Sequence, residues 1–280
     1  MREVPVRSCG LGARLAAAMT AGSVLTGEDG AEVSVGVLDP VAAVGVCHGD
    51  RTFVTASIVK VDILAALLLG AQDAGRELTG EERADAAAMI ERSDNDSASA
   101  LWRSIGRADG LDAANARFGL TRTTGGDGPR WGLTRTTVAD RLLLLRQVFG
   151  AGADSELTGA SRAYVRGLME GVVPEQAWGV PVVADGAPGD GPPVDGSAWA
   201  VKNGWVPRDA TGLWAVNSVG RVTVDGRDLL VAVLSDGNAT MARGVALVEA
   251  AAWAAVSVFT EGAGAPRRLT PGDTVRSSRA

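Results

Sequence analysis

The order in which the hydrophobic period changes along the chain constrains its fold most. Ala31-Glu-Val-Ser-Val-Gly-Val-Leu38 repeats every two residues and stops at Asp39-Pro40, as a half-buried strand running into a turn does. Val41 to Cys47 reads as a second strand, closed by Gly49-Asp50-Arg51. From Ile58 the period becomes helical, with Val61, Leu64, Ala65, Leu68 and Leu69 on one face. Further helices are expected over 81–91, 96–106, 110–118, 136–149 and 161–171. Strands return over 198–206, 212–224 and 228–235, the last two joined by the hairpin signal Asp225-Gly226. Residues 241–259 form a closing apolar helix. Strands at both ends and helices between them predict an α+β fold, with one antiparallel sheet built from both chain ends, packed on helices, and an all-helical lobe inserted. The expected unit is 1–262, with a sheet lobe of 1–57 plus 197–262 and a helical lobe of 58–196. The polar stretch 263–280 reads as a flexible tail. The Gly-, Pro- and Asp-rich stretch 180–197 reads as a flexible surface connection.

Composition removes several function classes. The 280 residues carry a net charge of −6, which argues against a protein that binds phosphate backbones. The chain has one histidine, His48, and two cysteines, Cys9 and Cys47. That is too few clustered ligands for a zinc centre, so no metal and no cofactor are expected. His48 follows strand-like sequence and precedes a turn, which suits an exposed turn residue better than a catalytic base. Whether Cys9 and Cys47 pair is not readable from spacing. No membrane span is expected, because Asp62 and Glu249 interrupt the longest apolar runs. Arg2, Arg7 and Arg14 precede a short alanine-based run to Gly22, which reads as a first amphipathic helix rather than a signal sequence.

Three short motifs carry chemistry. Ser57-Ile58-Val59-Lys60 lies where strand gives way to helix, so an amine sits one turn from a hydroxyl on the same face. If that amine is desolvated, its pKa falls and it can accept the serine proton, while the helix N-terminus offers N–H groups to a developing oxyanion. Taken alone, this is also the pattern of a serine cap and a solvated lysine. Ser93-Asp94-Asn95 lies between two helices, and all three residue types also cap helices. Lys202-Asn203-Gly204 lies inside a strand, where a glycine marks close approach of backbone or ligand.

Together, and in this order, the motifs form the set found in class A β-lactamases and penicillin-binding proteins. The chain resembles that serine acyl-transferase superfamily, and most of all class A β-lactamase-related hydrolases, over roughly residues 10–260. The resemblance implies Ser57 as nucleophile and Lys60 as its base. Ser93 would pass a proton to the leaving nitrogen beside Lys202, and Asn95 would touch Lys60 and the substrate. Asp94 would be structural. Lys202 would present positive charge to a substrate carboxylate and depress the Lys60 pKa by repulsion. The backbone N–H groups of Ser57 and Trp205 would form the oxyanion hole, and Asn203 and Gly204 would line the substrate. The substrate would be a small β-lactam or peptide-like molecule, the protein a monomer, and its setting extracellular.

The departures from the pattern matter as much. Asn203 stands where the family carries Thr or Ser. The arginine that class A enzymes place on the next strand has no match at Thr211 or Gly212; Arg208, Arg221 and Arg243 are candidate substitutes, each reading first as a solvated surface residue. Residues 120–135 contain no glutamate to activate the deacylating water, and Asp127 is their sole acid, placed between glycines as a turn residue is. Acylation with slow turnover is the expectation. The alternatives are a D-amino-acid peptidase or esterase of the penicillin-binding type and a non-catalytic binding protein on the same fold.

Overall fold

The computed structural model describes residues 9–22, 24, 30–150, 154–188 and 197–260. Helix α1 (Cys9–Ala21) leads into strands β1 (Glu32–Asp39), β2 (Val44–His48) and β3 (Phe53–Val54). The helical stretch follows as α2 (Val59–Asp73), α3 (Gly80–Glu91), α4 (Asn95–Ser104) and α5 (Arg107–Phe118). Strand β4 (Arg135–Thr136) precedes α6 (Val138–Phe149) and α7 (Gly159–Glu170). The chain then returns as β5 (Trp199–Pro207), β6 (Trp214–Val224), β7 (Arg227–Asn238) and α8 (Met241–Ser257).

One antiparallel sheet runs in the order β2-β1-β7-β6-β5, so β1 from the start of the chain pairs with β7 from its end. The period of two along β7 sorts its side chains between two cores. Leu230, Ala232 and Leu234 face the helices α2–α7, whereas Leu229, Val231 and Val233 face a layer containing Leu15 and Met19 of α1 and Val248, Ala251 and Ala255 of α8. The sheet therefore lies between two helical layers, and α1 is built into the fold through Leu15 and Met19, both fully buried.

Local chemistry explains the element boundaries. Thr79 and Glu82 form a reciprocal capping box at α3, which satisfies two N–H groups that the helix leaves unpaired. Thr137, Thr158 and Thr240 cap α6, α7 and α8 through their hydroxyls. Gly119 ends α5 in the left-handed conformation.

The expectation for 180–197 needs correction. Val180–Val183 is a 3-10 turn, with Val180 and Val183 packed into the core beside α8, because two buried valines outweigh the turn-forming residues around them. Positions 189–196 and the tail lie outside the described residues. Among the described residues no helix is long and apolar enough to cross a membrane. Cys47 is a free thiol at the end of β2, while the side chain of Cys9 lies outside the described set.

Candidate active site

Ser57 lies in a 3-10 turn, Ala56–Ile58, that feeds directly into α2. Ala56 is held at φ 47, a left-handed conformation that costs a non-glycine residue on the order of 1–3 kcal/mol and clusters at functional sites. Two anchors hold the approach to this turn. The Thr55 N–H donates to Thr134 O at 2.8 Å. The buried Asn217 amide on β6 donates to Val54 O at 2.9 Å and to Thr55 O at 3.0 Å.

Lys60, one turn along α2, is fully buried. Its Nζ donates to Ser93 O at 2.6 Å, to Asn95 Oδ1 at 2.8 Å and to Ser93 Oγ at 3.2 Å. Ser93 is itself at φ 58, between α3 and α4, so its carbonyl and hydroxyl both reach the same amine. Asp94 caps α4 by accepting from Ser97 N at 2.8 Å, in line with a structural role. That bond, ahead of the nearby Lys60 charge, holds its carboxyl below the usual range.

Lys202 approaches from β5 and donates to Ser93 Oγ at 3.0 Å and to Asn203 O at 3.2 Å. Both lysines therefore converge on one hydroxyl. Burial is the main cause that brings the Lys60 ammonium down to about 7, and the Asp94 carboxylate opposes it. Lys202 is pushed well below the lysine range, first by burial and then by the charge of Lys60. Burial thus leads at both amines, and the repulsion between the two lysines enters at Lys202. Lys60 and Lys202 both lie within hydrogen-bond distance of Ser93 Oγ, which makes a short path for a proton through one hydroxyl.

Gly204 explains the third motif. A Cβ there would lie 2.6 Å from Ser57 N and 2.7 Å from Ile58 N, so only glycine lets the edge strand β5 lie against the serine turn. Lys202 and Gly204 are two residues apart and share the face toward Ser57 and Ser93. Asn203 and Trp205 share the opposite face. Asn203 is accordingly buried, and its Nδ2 donates to Gln176 O and Trp178 O, both at 2.8 Å. Its expected place against the substrate is corrected: both amide hydrogens hold the 174–178 segment instead. The Trp205 ring packs against Trp178, with centroids 5.7 Å apart.

Other expected residues lie elsewhere. Asp127 has a side chain 92% exposed and pairs at 3.7 Å with Arg130, as a turn residue does. Arg221 is engaged by Glu170, Asp228 and Ser197 O. Arg208, just past the end of β5, lines a cavity of about 220 Å³ with Glu32 and Asp236. Among the described residues Lys60 Nζ is hydrogen-bonded to Ser93 O, Ser93 Oγ and Asn95 Oδ1 rather than to the Ser57 hydroxyl, and catalytic hydrogen bonds often tighten only once substrate binds.

Two neighbours of the site escaped the sequence. Asn217 carried no motif. Trp131, in the 3-10 turn Trp131–Leu133, places its ring centroid 4.9 Å from Lys60 Nζ; the only signal was an aromatic residue in a glycine-rich loop.

No protein-family model matches the chain, and no curated protein matches it significantly by sequence. Solved structures do match. The extended-spectrum β-lactamase TLA-1 aligns with a TM-score of 0.72 at 14% identity, covering 88% of this chain and 99% of that one. A β-lactamase from Chitinophaga pinensis aligns at 0.70 and 16% identity, covering 87% and 100%. A class A β-lactamase from Bacteroides cellulosilyticus aligns at 0.69 and 14% identity, covering 90% and 99%. The chain therefore has the fold of the class A β-lactamases.

Proposed function

We propose that the chain is a serine hydrolase that forms an acyl-enzyme at Ser57 with β-lactams or related amides and esters. The observation that carries this reading is the convergence of Lys60 and Lys202 on the Ser93 hydroxyl, beside a serine turn that Gly204 alone lets β5 approach. In acylation, Ser57 Oγ attacks the carbonyl carbon, and its proton passes to the neutral Lys60 amine. The tetrahedral oxyanion is held by the N–H groups of Ser57 and Trp205, each such donor being worth about 10²–10³ in rate. The C–N bond then breaks. The leaving nitrogen takes a proton from Ser93, whose hydroxyl is reprotonated from Lys60. Binding alone would not need a nucleophile beside two buried amines, which weighs against a non-catalytic protein.

The exposed carboxylate of Asp127 favours a slow second step. It is turned to solvent and paired with Arg130, so residues 120–135 supply no acid to the acyl group. That behaviour suits a penicillin-binding peptidase or esterase as well as a slow lactamase. The resemblance also implies an extracellular setting.

Intact-mass measurement after mixing with a penicillin tests the reading. The expected result is one covalent adduct in the wild type and none in Ser57→Ala. An adduct that persists in Ser57→Ala would remove the nucleophile. With a chromogenic cephalosporin, a stoichiometric burst should precede slow turnover, and Asp127→Asn should leave the slow phase unchanged. Fast linear hydrolysis abolished by Asp127→Asn would make this an ordinary lactamase with a relocated base.

A further inference from the structure

Release of the acyl group by water needs a base within reach of that water. Lys60, one helical turn from Ser57, is a candidate, but its surroundings are crowded. A protonated amine offers three N–H directions, and Ser93 O, Ser93 Oγ and Asn95 Oδ1 occupy all three. The Trp131 ring covers the amine from the remaining side, with its centroid 4.9 Å from Nζ.

The ring is fixed rather than loosely placed. Its Nε1–H donates to Ser99 Oγ on α4 at 3.1 Å. The 3-10 turn that carries it packs on the Ala56–Ile58 turn, and a Cβ at the next residue, Gly132, would lie 4.0 Å from Ala56 Cα. Loop 121–135 therefore presents an indole to the serine turn, whereas its only acid, Asp127, is in solvent. An aromatic face attracts the ammonium, by about 0.5–2 kcal/mol in general, and offers nothing that can hold or deprotonate a water.

We infer that Trp131 is a positioning residue that shields Lys60 and the Ser57 acyl group from water, and so sets the lifetime of the acyl-enzyme. The inference rests on the acyl-enzyme reading above. In hydrolysis a water oxygen bonds to the acyl carbon, the Ser57 Oγ–C bond breaks, and one water proton ends on Oγ by way of a base. With the indole in place, the approach of that water to the base is covered on the side of the ring. With the indole gone, the space over Lys60 admits one.

The test is a pair of rates on the full chain with a penicillin, both followed by intact mass: appearance of the Ser57 adduct and its decay after excess ligand is removed. In Trp131→Ala the ratio of decay rate to formation rate should rise by at least about a hundredfold, the lower end of what general-base help supplies. Trp131→Phe, which keeps an aromatic face, should stay near wild type. Ser99→Ala, which only frees the indole N–H, should shift the ratio in the same direction by less, and it guards against an unfolded Trp131→Ala. A ratio unchanged or lowered in Trp131→Ala and Ser99→Ala overturns the inference and leaves the nucleophile standing. No adduct in the wild type, or one that survives Ser57→Ala, brings down the acyl-enzyme reading and the inference with it.

Discussion

A lysine amine can accept a proton only when it is neutral, and burial brings Lys60 to that point near physiological pH. Its ammonium titrates at about 7 in the fold and at 10.5 in a free lysine. The rate of adduct formation should therefore rise with pH through about 7 and then level off. In Lys60→Met it should fall by several orders of magnitude at every pH, and a variant that acylates as fast as wild type would reject the base role. Stability carries the same signature. Between about 7 and 10.5 the unfolded chain holds a proton that folded Lys60 does not, so Lys60 makes stability rise with pH across that window. Thermal melts should show a shallower rise in Lys60→Met. That Lys60, Ser93, Asn95 and Lys202 meet was legible in the sequence as a grouping of motifs, because each belongs to a motif on a recognisable element. Asn203 was misplaced although the strand period held the answer: if Lys202 faces Ser93, its neighbour faces away. Trp131 was illegible because a loop aromatic has no period to say what its ring covers.

Helix α2 carries the lysine and continues directly from the turn that carries the serine, so its roll about its own axis bears on both. Asp62 lies two residues beyond Lys60, on a different face of α2, and makes a 2.5 Å ion pair with Arg141 of α6, both side chains being at most 1% exposed. Arg141 also donates to Thr123 Oγ1 at 3.2 Å, and Asp140 accepts from the same hydroxyl at 2.7 Å. This network ties α2 to α6 and to the start of the loop that carries Trp131. Burial pushes the Asp62 carboxyl up despite the adjacent guanidinium. The pair is therefore weak evidence for net stability, yet breaking it strands a buried charge. Asp62→Ala should cost about 3–5 kcal/mol in denaturant unfolding. The double variant Asp62→Leu, Arg141→Met should recover most of that loss; a double variant no better than the single would show that the pair adds more than compensation. The sequence presented Asp62 as a break in an apolar run. Its partner lies 79 residues away, and no local period connects the two, whereas the helices themselves were legible from their periodicity and caps.

At the scale of the whole molecule the chain's two ends and its middle share their cores. The helical layer is closed on one side by Leu38 of β1, Ala200 of β5, Val219 of β6, and Leu230, Ala232 and Leu234 of β7. Without those strands α2, with twelve buried residues, and α6, with seven, would turn apolar faces to water, and burying a large aliphatic side chain is worth about 1.5–3 kcal/mol. The site depends on the same closure. Ser57, Lys60, Ser93 and Asn95 come from the helical stretch and its entry, but Lys202 and Gly204 come from β5, on the far side of the insertion in sequence. We propose that the two lobes form one folding unit. Residues 58–196 expressed alone should lack a cooperative melt, expose apolar surface to a hydrophobic dye, and give no penicillin adduct. Residues 9–260 should retain a single transition, detected at the same temperature by far-UV and near-UV circular dichroism, since one cooperative unit loses secondary and tertiary structure together. A sharp, independent transition in 58–196 would show that the helical lobe holds its own core and that the sheet only completes the site. The single transition is the expected outcome, because the strand that brings Lys202 to Ser93 also helps to bury the helices that carry Ser93 and Lys60.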